Sequence, residues 1–203
     1  MRVSSSLRLQ IIVLAAGFSS RLGRPKALAR VHGVSLLRST LELAATLECA
    51  KIIAVVARHS ARYRDQARGI DVTFVTNSRR NQGLSSSVRR GIAAARHAPA
   101  VLLLPVDLGN LKSRELAHLI QRWRGARRAV IARRIGRIGA APLVLPRRLF
   151  PRALRITGDV GLRDLIGQLP AAGRVLVDMP SAASDIDTPQ DLEAARRTFR
   201  RRR

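Results

Sequence analysis

Leu14-Ala15-Ala16-Gly17-Phe18-Ser19-Ser20-Arg21-Leu22-Gly23-Arg24-Pro25-Lys26 follows directly on an aliphatic run, residues 9–14, and that junction sets the fold class. The run has no polar alternation, so it reads as a strand buried on both faces, as in a parallel sheet. Ala15, Ala16 and Gly17 carry almost no side chain, which lets a ligand approach the backbone closely. Successive N–H groups in such a turn form a concave anion site. Arg21 is suited to grip phosphate oxygens with two bonds, and Lys26 adds a point charge. The glycine spacing fits neither the dinucleotide fingerprint nor the P-loop. Lysine is scarce in this chain: Lys26, Lys51 and Lys112 are the only three. One of the three stands where phosphate chemistry needs it.

Outward from this loop, short aliphatic runs alternate with helical patterns. Residues 52–56, 72–76, 101–104, 129–132, 143–145 and 175–177 read as strands. Residues 35–47 place Leu36, Leu37, Leu41, Leu43, Ala44 and Leu47 on one helical face. Residues 86–95, opened by a serine cap, and 113–123, with Ser113 as cap, read as further helices. A last helix over 189–197 has Thr188 as cap and Pro189 at its first position. The alternation predicts an α/β protein with an open, mostly parallel sheet and helices on both faces, a Rossmann-like arrangement. Such sheets bind ligands beyond the carboxyl ends of their strands. The segments expected to matter are therefore 15–26, 77–87, 105–110 and 185–188. One domain is expected over 9–197, with residues 1–8 disordered and 198–203 a basic tail.

Composition narrows the function. The chain has 203 residues, 46% hydrophobic, enough for a single full core. Lys and Arg number 38 against 13 Asp and Glu, a net charge of +25. That balance invites a nucleic-acid reading, but the arginines are scattered through every segment rather than gathered in one groove. Phosphates of smaller molecules are the expected anionic partners. Cys49 is the single cysteine, which excludes an intrachain disulfide and a cysteine zinc site and suits a reducing cytoplasm. It reads as a buried thiol in an apolar helical run. The four histidines lie far apart, without metal-ligand spacing. Arg2 and Arg8 before the apolar residues 11–17 have the layout of a short export signal, but cleavage there would remove the loop itself. No apolar run approaches the length of a membrane span.

Four further patterns complete the candidate site. Asn77 precedes Gly83-Leu84-Ser85-Ser86-Ser87 and Gly91; Ser87 and amides at a helix start are able to bond a nucleotide. Asp107 follows a strand beside the phosphate loop, a position suited to Mg²⁺. Thr157-Gly158-Asp159-Val160-Gly161-Leu162-Arg163 and Asp185-Ile186-Asp187-Thr188-Pro189-Gln190-Asp191-Leu192 follow later. Asp191, in the first turn of the last helix, suits the helix dipole.

Together these residues resemble the molybdenum cofactor cytidylyltransferases, within the wider MobA-like nucleotidyltransferase group, over about residues 9–195. The resemblance implies nucleotidyl transfer from CTP to a molybdopterin-type cofactor, with Mg²⁺ and release of pyrophosphate. It assigns Leu14, Ala15, Ala16, Gly17, Ser19, Arg21, Gly23, Lys26, Asn77, Gly83 and Ser87 to the nucleotide. Arg21 and Lys26 are implied as catalytic, and Asp107 and Asp187 as metal ligands. Gly158, Asp159, Gly161 and Arg163 are implied on the acceptor side. Ala15-Ala16-Gly17, where the guanylyltransferase branch has Ala-Gly-Gly, tilts the resemblance toward CTP rather than GTP. A molybdenum hydroxylase or its maturation factor is the implied recipient of the product. A guanylyltransferase, a sugar- or alcohol-phosphate nucleotidyltransferase, and a nucleic-acid-binding protein on a degenerate fold are the alternatives.

Overall fold

Ile11, Ile12 and Val13 are wholly excluded from solvent, so successive residues of one strand face two different cores. Burying each is worth about 1.5–3 kcal/mol. The computed structural model describes residues 8–17, 22–23, 25–47, 49, 51–57, 61–159, 161–182 and 185–200, with side chains to 197. This first strand, β1 (Gln10–Ala15), is central in a seven-stranded sheet. Parallel to it on one side runs β4 (Lys51–Val56), and beyond that β5 (Thr73–Thr76). On its other side lies β6 (Ala100–Pro105), also parallel. The sheet continues through β8 (Ile138–Pro146), β7 (Val130–Ile135) and β9 (Arg174–Val177). A separate two-stranded hairpin, β2 (Arg30–Val31) with β3 (Val34–Ser35), follows the first loop.

The open, mostly parallel sheet expected from the aliphatic runs is present, with one qualification. β8 pairs antiparallel with both β6 and β7, while β7 pairs parallel with β9. Its direction reverses because β7 and β8 are joined as a tight hairpin rather than by a helix. β6, β7 and β9 consequently still point the same way as β1.

One face of the sheet is covered by α1 (Leu36–Ala45), α4 (Ser113–Gly125) and α7 (Pro189–Arg200). The other carries α3 (Leu84–Ala94), α5 (Phe150–Ala153) and α6 (Gly161–Gly167). A short α2 (Ala61–Arg64) precedes β5. Helix starts depart from expectation in two places. α3 begins at Leu84, two residues early, because Gly83 rather than a serine is its N-cap. Ser113 is the first residue of α4 and does not cap it; Lys112 precedes the helix without a side-chain bond. Cys49 lies past the end of α1, half-buried rather than inside a helix, and burial pushes its thiol up. α7 continues to Arg200, into the stretch expected as tail. Of residues 1–8, expected to be disordered, 1–7 lie outside the described residues, as do 201–203 of the basic tail.

Chain order matters more than strand count. After β1 the chain builds outward through β4 and β5, then crosses to β6 on the opposite side of β1. Adjacent crossovers diverging from β1 open a crevice at its carboxyl end, the place where open α/β sheets bind ligands.

Candidate active site

Lys26 follows the first loop in a single 3-10 turn, Lys26–Leu28. Its side chain is 13% exposed and its ammonium meets two carboxylates. Nζ lies 3.1 Å from Asp107 Oδ2 and also donates to Asp187 Oδ1. Asp107 stands just beyond β6. Asp187 belongs to a segment that leaves β9 and returns across the sheet, where Ile186 N donates to Asp107 O at 2.9 Å. This return, not strand adjacency, brings the two acids together, since β8 and β7 separate β6 from β9. Sharing one ammonium limits the two oxygens to about two hydrogen-bond lengths, ~6.4 Å apart. Burial pulls the Lys26 ammonium down, but the charge of Asp107 and the hydrogen bonds to both acids outweigh it and hold it above its usual value.

Asp191 holds the returning segment. Its Oδ2 accepts from Asp187 N at 3.0 Å and Thr188 N at 2.8 Å, while Thr188 Oγ1 accepts from Asp191 N at 3.1 Å. These reciprocal bonds form a capping box at the start of α7. They leave the Asp187 side chain for Lys26. The Thr188 hydroxyl beside the carboxylate, together with the Asp187 and Thr188 N–H donors, keeps the Asp191 carboxyl below the ordinary carboxylate range.

Around Lys26 opens a cleft of about 350 Å³. Among the sequence-assigned residues, Leu14, Gly17, Lys26, Ser87, Asp107, Asp159 and Arg163 line it. Ala15 and Ala16 are buried in the sheet core beneath. Gly23 turns the loop with a φ of +61° and does not line the cleft. Ser19 and Arg21 lie outside the described residues.

Asn77 does not line this cleft. It is 1% exposed; its Nδ2 donates to Ser86 Oγ at 2.8 Å and Ser87 Oγ at 3.0 Å, and its Oδ1 accepts from Arg79 N. All these groups serve to hold the second loop against α3. Gly83 is an architectural residue too. Its φ is +82°, and a Cβ there would stand 2.6 Å from Asp159 Oδ1 and 2.9 Å from Gly158 C. The close approach lets Asp159 Oδ1 accept from Leu84 N at 2.8 Å, and Gly158 O accept from Ser85 N at 3.1 Å. The 157–163 element is thereby fastened to the open end of α3, with a carboxylate on the positive end of the helix dipole. Gly158 and Gly161 serve that junction; Gly161 would meet Ile156 Cβ at 3.0 Å.

Two charged cleft residues were not singled out from sequence. Asp185 lines the cleft beside the Asp107 and Asp187 pair. Burial pushes its carboxyl up, repulsion from Asp107 adds to this, and Arg133 opposes it. Asp185 was legible in principle, as the first acid of Asp185-Ile186-Asp187. Arg133 interrupts an aliphatic strand, a weak signal in a chain so rich in arginine.

The sequence matches the MobA-like NTP transferase domain over residues 11–173. Asp187 lies beyond the matched stretch. A curated protein of Trichormus variabilis, named "Probable molybdenum cofactor guanylyltransferase", is 35% identical over 115 residues. That match covers 57% of this chain and 51% of the relative, so the chain spans about half the relative's length. Among solved structures, a nucleotidyl transferase from Methanothermobacter thermautotroptrophicus superposes with a TM-score of 0.80 at 22% identity, covering 97% of this chain and 99% of that one. Rv0371c of Mycobacterium tuberculosis in complex with manganese gives 0.72 at 23% identity, covering 94% and 99%.

Proposed function

Because the chain belongs to the MobA-like NTP transferase domain family, we propose that it transfers CMP from CTP to the phosphate of a molybdopterin-type cofactor, releasing pyrophosphate. The observation that carries the reading is Lys26 held between Asp107 and Asp187 at the crevice beside β1. Ala15-Ala16-Gly17 favours CTP. The guanylyltransferase name of the Trichormus relative favours GTP as the second reading.

The acid pair suits a divalent cation. Two carboxylate oxygens already converge on one positive charge, the Lys26 ammonium, which serves as a stand-in ion. Asp107 and Asp187 would hold Mg²⁺, which supplies Lewis acidity toward phosphate oxygens and a template for them. The manganese bound by the mycobacterial neighbour agrees with a divalent ion on this fold. The rest falls to the chain. Leu14, Gly17 and Lys26 line the cleft; there the backbone would cradle phosphates and Lys26 would neutralise charge at the reacting phosphorus. The walls align acceptor and α-phosphorus for in-line attack. The acceptor phosphate is already an anion, so the reaction requires no general base.

A single half-buried thiol suits a reducing compartment, and we place the protein in the cytoplasm. Among the described residues no helix is long and apolar enough to cross a membrane. The test is pyrophosphate release with molybdopterin cofactor against a panel of nucleotides. Turnover with CTP at least tenfold faster than with GTP supports the cytidylyl reading; the reverse preference overturns it in favour of GTP.

A further inference from the structure

Arg133 is a buried cation on the wall of the cleft, and packing leaves it incompletely satisfied. It lies on β7 directly after Val130, Ile131 and Ala132, all wholly buried. At Ala132 and Arg133 the pairing with β8 slips, from Ala132 opposite Leu143 to Arg133 opposite Ala140. A slip of this kind re-aims a side chain next to a site. The Arg133 side chain is 9% exposed and lines the cleft. Nη1 donates to Ala182 O and stands 3.7 Å from Asp185 Oδ1. The latter distance is too long for a hydrogen bond. Nε is buried without any hydrogen-bond partner. A guanidinium buried this far with an unmade bond is costly unless something else completes it. Nε and Nη2 form the side-on edge of the fork, which matches two oxygens of one phosphate.

Its position says which phosphate. Gly17 and Lys26 line the cleft beside the end of β1, and Asp107 lies just beyond β6. Arg133 is two strands further, roughly 10 Å across the sheet at about 4.8 Å per strand. In-line transfer places the attacking oxygen opposite the leaving pyrophosphate. With pyrophosphate leaving beside Gly17 and Lys26, the attacker enters from the side of β8 and β7. There Gly139, Ala140 and Ala141 leave the cleft floor flat.

We propose that Arg133 grips the acceptor's phosphomonoester with its side-on edge and aims a free oxygen at the α-phosphorus of the nucleotide. This deepens the nucleotidyltransferase reading above and rests on it. The aimed oxygen forms a bond to the α-phosphorus, and the bond from that phosphorus to its bridging oxygen breaks. The electron pair leaves with pyrophosphate, and no redox partner is involved.

The test labels the protein with ¹⁵N-arginine and follows the Nε–H resonance that R133K removes. With Mg²⁺ and a non-hydrolysable CTP analogue present, phenyl phosphate is titrated as the probe. The resonance should shift to saturation. R133K should weaken phenyl phosphate tenfold or more while changing affinity for the CTP analogue less than threefold. An unmoved resonance, or equal loss of both ligands, makes Arg133 a pin for the 182–187 segment and overturns the proposal. Crystals of the unmutated protein soaked with both compounds decide independently of R133K folding. Phosphate oxygens within about 3.2 Å of Nε support the assignment; phosphate seated on Arg163 instead refutes it. If phenyl phosphate docks on Arg133 while molybdopterin cofactor gives no pyrophosphate release, the acceptor reading fails and the Arg133 assignment stands.

Discussion

At the scale of single residues, the site is a competition for two carboxylates. Lys26 occupies the place between Asp107 and Asp187 that suits a divalent ion. K26M should therefore lower turnover by about 10²-fold, roughly 3 kcal/mol of lost transition-state stabilisation. The same variant should bind Mn²⁺ without nucleotide at least as tightly as the parent, since a rival cation is gone. Steady-state kinetics and titration calorimetry check the two halves, and unchanged turnover would reduce Lys26 to a structural ion pair. D107N and D187N should each remove most activity. Their effects should fall well short of additive in the double variant, because both act on one ion. Full additivity in a double-mutant cycle would mean separate roles. At this scale the sequence was informative where residue type is rare. Lys26 stood out against the arginines, and the two acids stood out in a chain with only 13 carboxylates. Arg133 did not, because one arginine among many carries no signal until its burial is known.

At the scale of elements, caps and close approaches position the chemistry. Thr188 and Asp191 open α7 and hold the segment that presents Asp187. T188A should cost about 1 kcal/mol, a fall in Tm of about 2–4 °C in a chain of this length. It should also weaken metal-dependent turnover, and scanning calorimetry beside the kinetic assay separates these effects. The Asp191 carboxyl lies below its ordinary value of 3.8. Its contribution to stability is thus present above that value and is lost as pH falls below it. A D191N variant should accordingly show a shallower fall in Tm with pH in that acid window. Gly83 is the second such point. G83A forces a Cβ against Asp159 and Gly158 at a positive φ, with about 1–3 kcal/mol of strain; thermal denaturation should show the loss. The helices and parallel strands were legible because aliphatic runs and caps are local patterns. The reversal of β8 was not, since a hairpin and a crossover start from similar aliphatic runs. The bonds of Asn77 to Ser86 and Ser87 were not legible either, since only the packing of α3 brings those hydroxyls to it.

At the scale of the whole molecule, the net charge of +25 is scattered along the sequence, whereas the cleft lining sets Lys26, Arg133 and Arg163 against Asp107, Asp159 and Asp185. Deleting residues 201–203 should leave nucleotide turnover within twofold. It should reduce adventitious binding to polyanions and lessen the dependence of that binding on salt. A heparin retention assay beside the kinetic assay tests both. One feature of the topology reaches beyond the finished protein. The sheet is complete at β9, yet Asp187 reaches Asp107 only when the segment after β9 doubles back and Ile186 meets the Asp107 carbonyl. During synthesis, a nascent chain would therefore possess its crevice, Lys26 and one acid well before it possessed the second. Any polypeptide interrupted in that interval would carry a nearly finished sheet whose Lys26 faces one carboxylate instead of two.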